Sequence, residues 1–142
     1  MKYLLNKISL FGICLLLMVT FSSMNPRVCS YYSVKFKNAN NKELHLAVRY
    51  KPVENDPANG EFKTSAWYIF NPQETKLIFN TRCYSFYYYA DTPLDRYGRK
   101  DTWSGDFKFR VDDDVFKFRK DDTRNYDVTV EGDACVITVY LH

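Results

Sequence analysis

The chain is poor in the residues that make catalytic and metal sites. It has two histidines, five glycines and four cysteines among 142 residues. One histidine, His142, is the last residue; the other, His45, alternates with Leu44 and Leu46 beside Glu43 and Arg49, as a solvent-facing strand residue does. A His45–Cys83 nucleophile pair has to compete with a disulfide role for Cys83. Outside the N-terminus the glycines are Gly60, Gly98, Gly105 and Gly132. All are isolated, which excludes a glycine-rich phosphate loop. Two histidines and scattered cysteines do not make a zinc site. No cofactor is expected.

A helical apolar period is also missing. Past the N-terminus the apolar residues recur at every second position, the mark of half-buried strands. Val34 and Phe36 alternate with Lys35 and Lys37, and Leu44, Leu46 and Val48 with Glu43, His45 and Arg49. Similar runs follow at Trp67 and Ile69, Leu77 and Phe79, Phe86 and Tyr88, Phe107 and Phe109, and Phe116 and Phe118. Tyr126, Val128 and Val130 come next, and Ile137, Val139 and Leu141 close the chain. Asn-, Asp- and Gly-rich turn signals separate the runs at roughly ten-residue intervals. The expected fold is all-β: one antiparallel sandwich or small barrel of about eight to nine short strands.

Only one long apolar run occurs, Ile8 to Phe21, behind Lys2 and Lys7. It reads as an export signal at 1–22, with the domain at 23–142. Cleavage after Ser22 lies directly behind the apolar run; cleavage after Ser30 also satisfies the small-residue rule. Membrane contact is then expected only through an uncleaved signal, and the localisation is secreted or periplasmic. Net charge is scarce too. The whole chain carries 20 Lys+Arg against 17 Asp+Glu, and without Lys2 and Lys7 the balance is 18 against 17. No basic stripe remains to neutralise a phosphate backbone, so nucleic acid is not an expected partner.

Cleavage after Ser22 leaves Cys29, Cys83 and Cys135, enough for one bridge and one spare thiol. Cys83 and Cys135 each open an expected strand and form the expected pair. The acidic groups Asp112–Asp114 and Asp121–Asp122 invite a calcium site. Their spacing matches no EF-hand loop, and Arg110, Lys117, Arg119 and Lys120 offer compensation.

Aromatic residues are abundant: twelve tyrosines, eleven phenylalanines and two tryptophans. On residues 86–91 the alternation puts Phe86, Tyr88 and small Ala90 on one face, the expected core. Tyr87 and Tyr89 fall on the other, which is either a binding surface or a second covered layer. Tyr87, Tyr89 and Trp103, with Ser104 and Asp106 on the following turn and Trp67 upstream, are the candidate binding residues. They would form an aromatic platform with hydrogen-bonding neighbours. An envelope or extracellular protein or a glycan is the partner such a surface takes. Asp91 and Asp106 support a different possibility, a small hydrolase with paired carboxylates brought together by hairpin pairing.

Several blocks in order resemble the domain of unknown function 1036 family. They are Val34-Lys35-Phe36-Lys37-Asn38, Val48-Arg49-Tyr50-Lys51, Trp67-Tyr68 before Asn71-Pro72, Tyr87-Tyr88-Tyr89-Ala90-Asp91, and Trp103-Ser104-Gly105-Asp106 with Phe109. The resemblance spans roughly residues 33–118 and is most specific in the tyrosine run and the Trp-Ser-Gly-Asp block. It implies a small bacterial domain, often exported, with no established activity. The chain departs from it at Lys37 and near Gln73-Glu74, where family members carry cysteine.

Overall fold

The computed structural model describes residues 29–142. The signal segment and its cleavage after Ser22 lie outside these residues. Ten strands are formed: β1 Tyr31–Asn38, β2 Leu44–Tyr50, β3 Lys63–Phe70, β4 Thr75–Thr81, β5 Ser85–Asp91, β6 Thr102–Trp103, β7 Phe107–Val111, β8 Asp114–Asp122, β9 Thr129–Glu131 and β10 Ala134–Leu141. The all-β expectation holds, with one or two short strands more than the periodicity indicated. No helix among the described residues is long and apolar enough to cross a membrane.

A four-stranded sheet runs β4-β1-β10-β9, and a six-stranded sheet runs β3-β2-β5-β8-β7 with β6 paired to the free end of β5. Alternation explains how they stack. Val34 and Phe36 of β1 and Ile137, Val139 and Leu141 of β10 point to one side. They meet Leu44, Leu46, Val48, Phe70, Phe86, Tyr88 and Ala90 from the other sheet in one buried cluster. Phe36 sits at the centre, edge-on to both Phe86 and Tyr88. The inward set on β5 is therefore the one expected.

Three features differ from the sequence reading. First, β1 and β10 pair in parallel, Tyr31 opposite Ala134 through Asn38 opposite Leu141, so the first sheet is mixed rather than antiparallel. Second, that pairing decides the disulfide. Cys29 stands two residues before β1, beside Cys135 on the adjoining strand. The bridge joins these two, with Cα atoms 5.4 Å apart. Cys83, assigned above to Cys135, is a free thiol at the turn into β5 and donates to the Pro57 carbonyl at 3.2 Å. Third, the run Tyr126–Val130 is mostly not strand. A 3-10 turn at Thr123–Asn125 precedes it, β9 covers only its end, and Val128 and Val130 are exposed.

The six-stranded sheet also carries apolar side chains on its outer side. Ala47, Tyr89, Val111 and Phe118 form a second buried cluster, with Trp67, Tyr87, Phe109 and Phe116 packed against it. The sheet curls about this cluster as a half-barrel, bringing Trp67 of β3 within 5.0 Å of Phe116 of β8, ring centre to ring centre. Residues 64–66 of β3, with Arg110 and Val111 of β7 and Asp112 of the following turn, line a common cleft at the seam.

Candidate functional site: a groove at the end of the curled sheet

Two pairings place a row of side chains across one end of the curled face. His45 of β2 lies opposite Ile69 of β3 on one side and Asp91 of β5 on the other. Because alternate residues share a face, the next row inward holds Ala47 and Tyr89, also paired. Trp67 reaches that row through a bulge. Leu46 faces Tyr68 and Val48 faces Ser65, so the two residues Ala66 and Trp67 stand opposite the single Ala47. A bulge of this kind reverses parity along its strand and re-aims side chains. Trp67 thereby turns outward while Tyr68, its neighbour, packs against the inner cluster.

Over this row lies a groove of about 530 Å3, lined by His45, Trp67, Ile69, Asp91, Lys100, Asp114 and Phe116. Its floor is a connected polar group. The Tyr89 hydroxyl donates to Asp91 Oδ2 at 2.9 Å, and Lys100 Nζ, from the loop between β5 and β6, donates to the same oxygen at 2.7 Å. His45 Nε2 is 3.0 Å from Glu43 Oε1, and its Nδ1 is 3.8 Å from Asp91 Oδ1. The bond to the Asp91 carboxylate raises the Lys100 pKa above the usual lysine value. Burial, then the bond to Asp91, raises that of the Tyr89 hydroxyl. The Asp91 side chain is 13% exposed, so its charge is held by these partners rather than by water. Above the floor, Trp67 and Phe116 meet edge to face and are half-buried, while Ile69 is 52% exposed at the rim. Aromatic surface and directional polar groups converge on one concavity, as in small-molecule sites.

The expected platform is split by this arrangement. Trp103 of β6 pairs with Ala90, so it shares Ala90's inner face and packs against the inner cluster. Tyr87 and Tyr89 lie across the sheet from it. Tyr89 is 6% exposed and contacts Trp67, Phe116 and Phe118. Tyr87 is half-buried, edge-on to Phe107 and Phe109. Ser104 and Asp106 are exposed on the turn after β6. Of the six candidate binding residues, only Trp67 lines the groove, with Tyr89 beneath it.

The paired carboxylates fare likewise. Asp91 is tied to Lys100 and Tyr89, whereas Asp106 stands exposed on the turn into β7, outside the groove lining. The acidic residues invoked for calcium are separated by the whole of β8, a strand of nine residues that spans about 25–30 Å. Asp121 and Asp122 accept instead from Tyr126 and Arg124. A second cleft, about 480 Å3, lies on the four-stranded sheet between Lys35, Tyr126, Glu131 and Tyr140. It lacks buried charge, and its Lys35–Glu131 pair is 3.9 Å apart with Glu131 well exposed.

Sequence reasoning missed His45, Ile69, Lys100, Asp114 and Phe116. A signal existed for one of them: His45 shares the face of Tyr89 and Asp91 as soon as β2 and β5 are paired. Lys100 and Phe116 carry no local signal, since the loop and the curl place them. No protein-family model matches the chain, and no curated protein is significantly similar to it.

Proposed function

We propose that the chain is an exported, non-enzymatic binding module and that the groove is its ligand site. One observation carries this reading: half-buried Trp67 and Phe116 stand over the Tyr89–Asp91–Lys100 group at the open end of an otherwise filled half-barrel. The partner is an envelope or extracellular molecule, a glycan or a protein. Export is supported by the Cys29–Cys135 bridge, because disulfides persist in oxidising compartments. It is supported further by the basic and apolar N-terminal segment. The bridge also favours cleavage after Ser22, since cleavage after Ser30 would discard Cys29. Kinship with the domain of unknown function 1036 family rests on the ordered sequence blocks alone.

Trp67 and Trp103 are the two tryptophans of the chain. A Trp103→Phe variant therefore makes Trp67 the sole source of tryptophan emission. Titrating it with neutral, acidic and basic oligosaccharides and with extended peptides of each charge tests the proposal. One class is expected to shift the emission saturably and raise the melting temperature, as ligand linkage requires. An emission unchanged by every class at millimolar concentration overturns it.

A further inference from the structure

We infer that the groove takes a neutral saccharide, one ring stacked on its aromatic wall and adjacent hydroxyls bound by Asp91 and Lys100. This rests on the binding-module reading above and adds the ligand class. Charge decides first. The groove presents Asp91 and Asp114 against Lys100, with His45 between Glu43 and Asp91. Asp91 and Lys100 are already in contact and neutralise one another. With that pair neutral the remaining charge is Asp114, which repels an anionic ligand and, being exposed, offers a cation only a solvent-screened partner. Like charges set against each other in a partly desolvated site oppose binding. This lining opposes an anion and gives a cation little.

Hydrogen-bonding capacity then points to hydroxyls. Oδ2 of Asp91 is occupied by Tyr89 and Lys100. Among the described residues Oδ1 has only His45 Nδ1 at 3.8 Å, beyond hydrogen-bond range, so it retains accepting capacity. Lys100 Nζ has three donors and gives one to Asp91. An unused acceptor beside unused donors matches two neighbouring hydroxyls, each able to donate and accept. Trp67 and Phe116 supply apolar surface for the C–H face of a sugar ring, the amphipathic contact at which aromatic side chains excel. The size of the groove falls within the roughly 300–1,000 Å3 of small-molecule sites.

The test uses the Trp103→Phe protein and trisaccharides matched in size. The neutral set is maltotriose, cellotriose and tri-N-acetylchitotriose, set against trigalacturonate as the anion and the glucosamine trimer as the cation. Expected is saturable binding of a neutral trisaccharide, followed by Trp67 emission and by calorimetry. Asp91→Asn should weaken it at least tenfold. Lys100→Gln, at a side chain 40% exposed, gives a second variant that folds if Asp91→Asn does not, and it should weaken binding likewise. Preference for the charged trimers, or for a peptide, overturns the saccharide class while the binding-module reading stands. Silence towards every sugar and every peptide overturns both. Neutral-sugar binding that both variants leave intact removes Asp91 and Lys100 from the site and overturns the geometry inferred here.

Discussion

Tyr89 joins the buried side of the molecule to the groove. Its ring packs between Trp67, Phe116 and Phe118, and its hydroxyl holds Asp91. Tyr89→Ala is expected to cost about 3–5 kcal/mol, as much as Phe86→Ala in the inner cluster, because both remove a large buried ring. Tyr89→Phe should cost about 1–3 kcal/mol, since it only strips a donor from a buried carboxylate. Urea unfolding of the three variants checks the ranking, and a Tyr89→Ala protein as stable as wild type would sink it. Alternation along residues 86–91 was enough to place Phe86, Tyr88 and Ala90 inward. It said nothing of what covers Tyr89, because Phe116 and Phe118 arrive on β8, a strand about thirty residues later that pairs with β5. Trp103 was illegible for a simpler reason. A two-residue strand has no period, and its face is set by its partner, Ala90.

At the level of elements, Gly105 shows why the Trp-Ser-Gly-Asp turn carries glycine. Its amide donates to the Lys117 carbonyl at 3.1 Å, where the chain crosses β8 on its way into β7. A Cβ there would lie 2.6 Å from the Cα of Arg119 and 2.7 Å from the Phe118 carbonyl oxygen. Both are backbone atoms that cannot swing aside. Gly105→Ala is therefore expected to displace β7 from β8 and cost about 1–3 kcal/mol. Thermal melts give the magnitude. Amide exchange should show β7 and β8 opening before β1 and β10, and uniform loss of protection across the molecule would refute the local origin. Strand positions and turns were largely readable from period-two alternation and Asx-rich turns. Faces were less so. The Ala66–Trp67 bulge shifts parity in mid-strand, which puts Phe70 inside and leaves Ile69 at the groove rim. Val128 and Val130 alternate as a strand does, yet among the described residues most of that segment has no partner strand to complete it.

For the whole molecule, titration bounds the stable range. Burial raises the tyrosine pKa values of Tyr50, Tyr88, Tyr89 and Tyr126, and Asp91 raises that of Lys100. A raised folded pKa contributes stability that is complete below the unfolded value, near 10.0 for tyrosine, and is lost as pH climbs through the folded one. Asp56, Glu74 and Asp95 are lowered chiefly by backbone N–H donors, and Asp122 by Arg124. Their contribution is present above the unfolded values of 3.8 and 4.5 and fades as pH falls through the folded ones. These carboxylates are solvated, so the acid limb should be shallow. Urea midpoints should hold level from about pH 5 to 9 and then drop more steeply on the alkaline side; a steeper acid limb contradicts this. Non-reducing peptide mapping should recover Cys29 linked to Cys135, an alkylatable Cys83 and an N-terminus at Ser23. A mature chain beginning at Tyr31 would lack the bridge. Its loss should cost about 4–5 kcal/mol on the chain-entropy account, for a sequence separation of 106. Pairing β1 with β10 has a consequence in time as well as in energy. The first strand waits for the last, so one edge of β1 stays open until residue 141 has been made. Contacts this distant in sequence make for slow folding, in the range of milliseconds to seconds. During that interval the unpaired strand is exposed to other chains. The antiparallel partner β4 can cover the other edge of β1 early, so β10 is the strand whose arrival closes this sheet and ends the exposure.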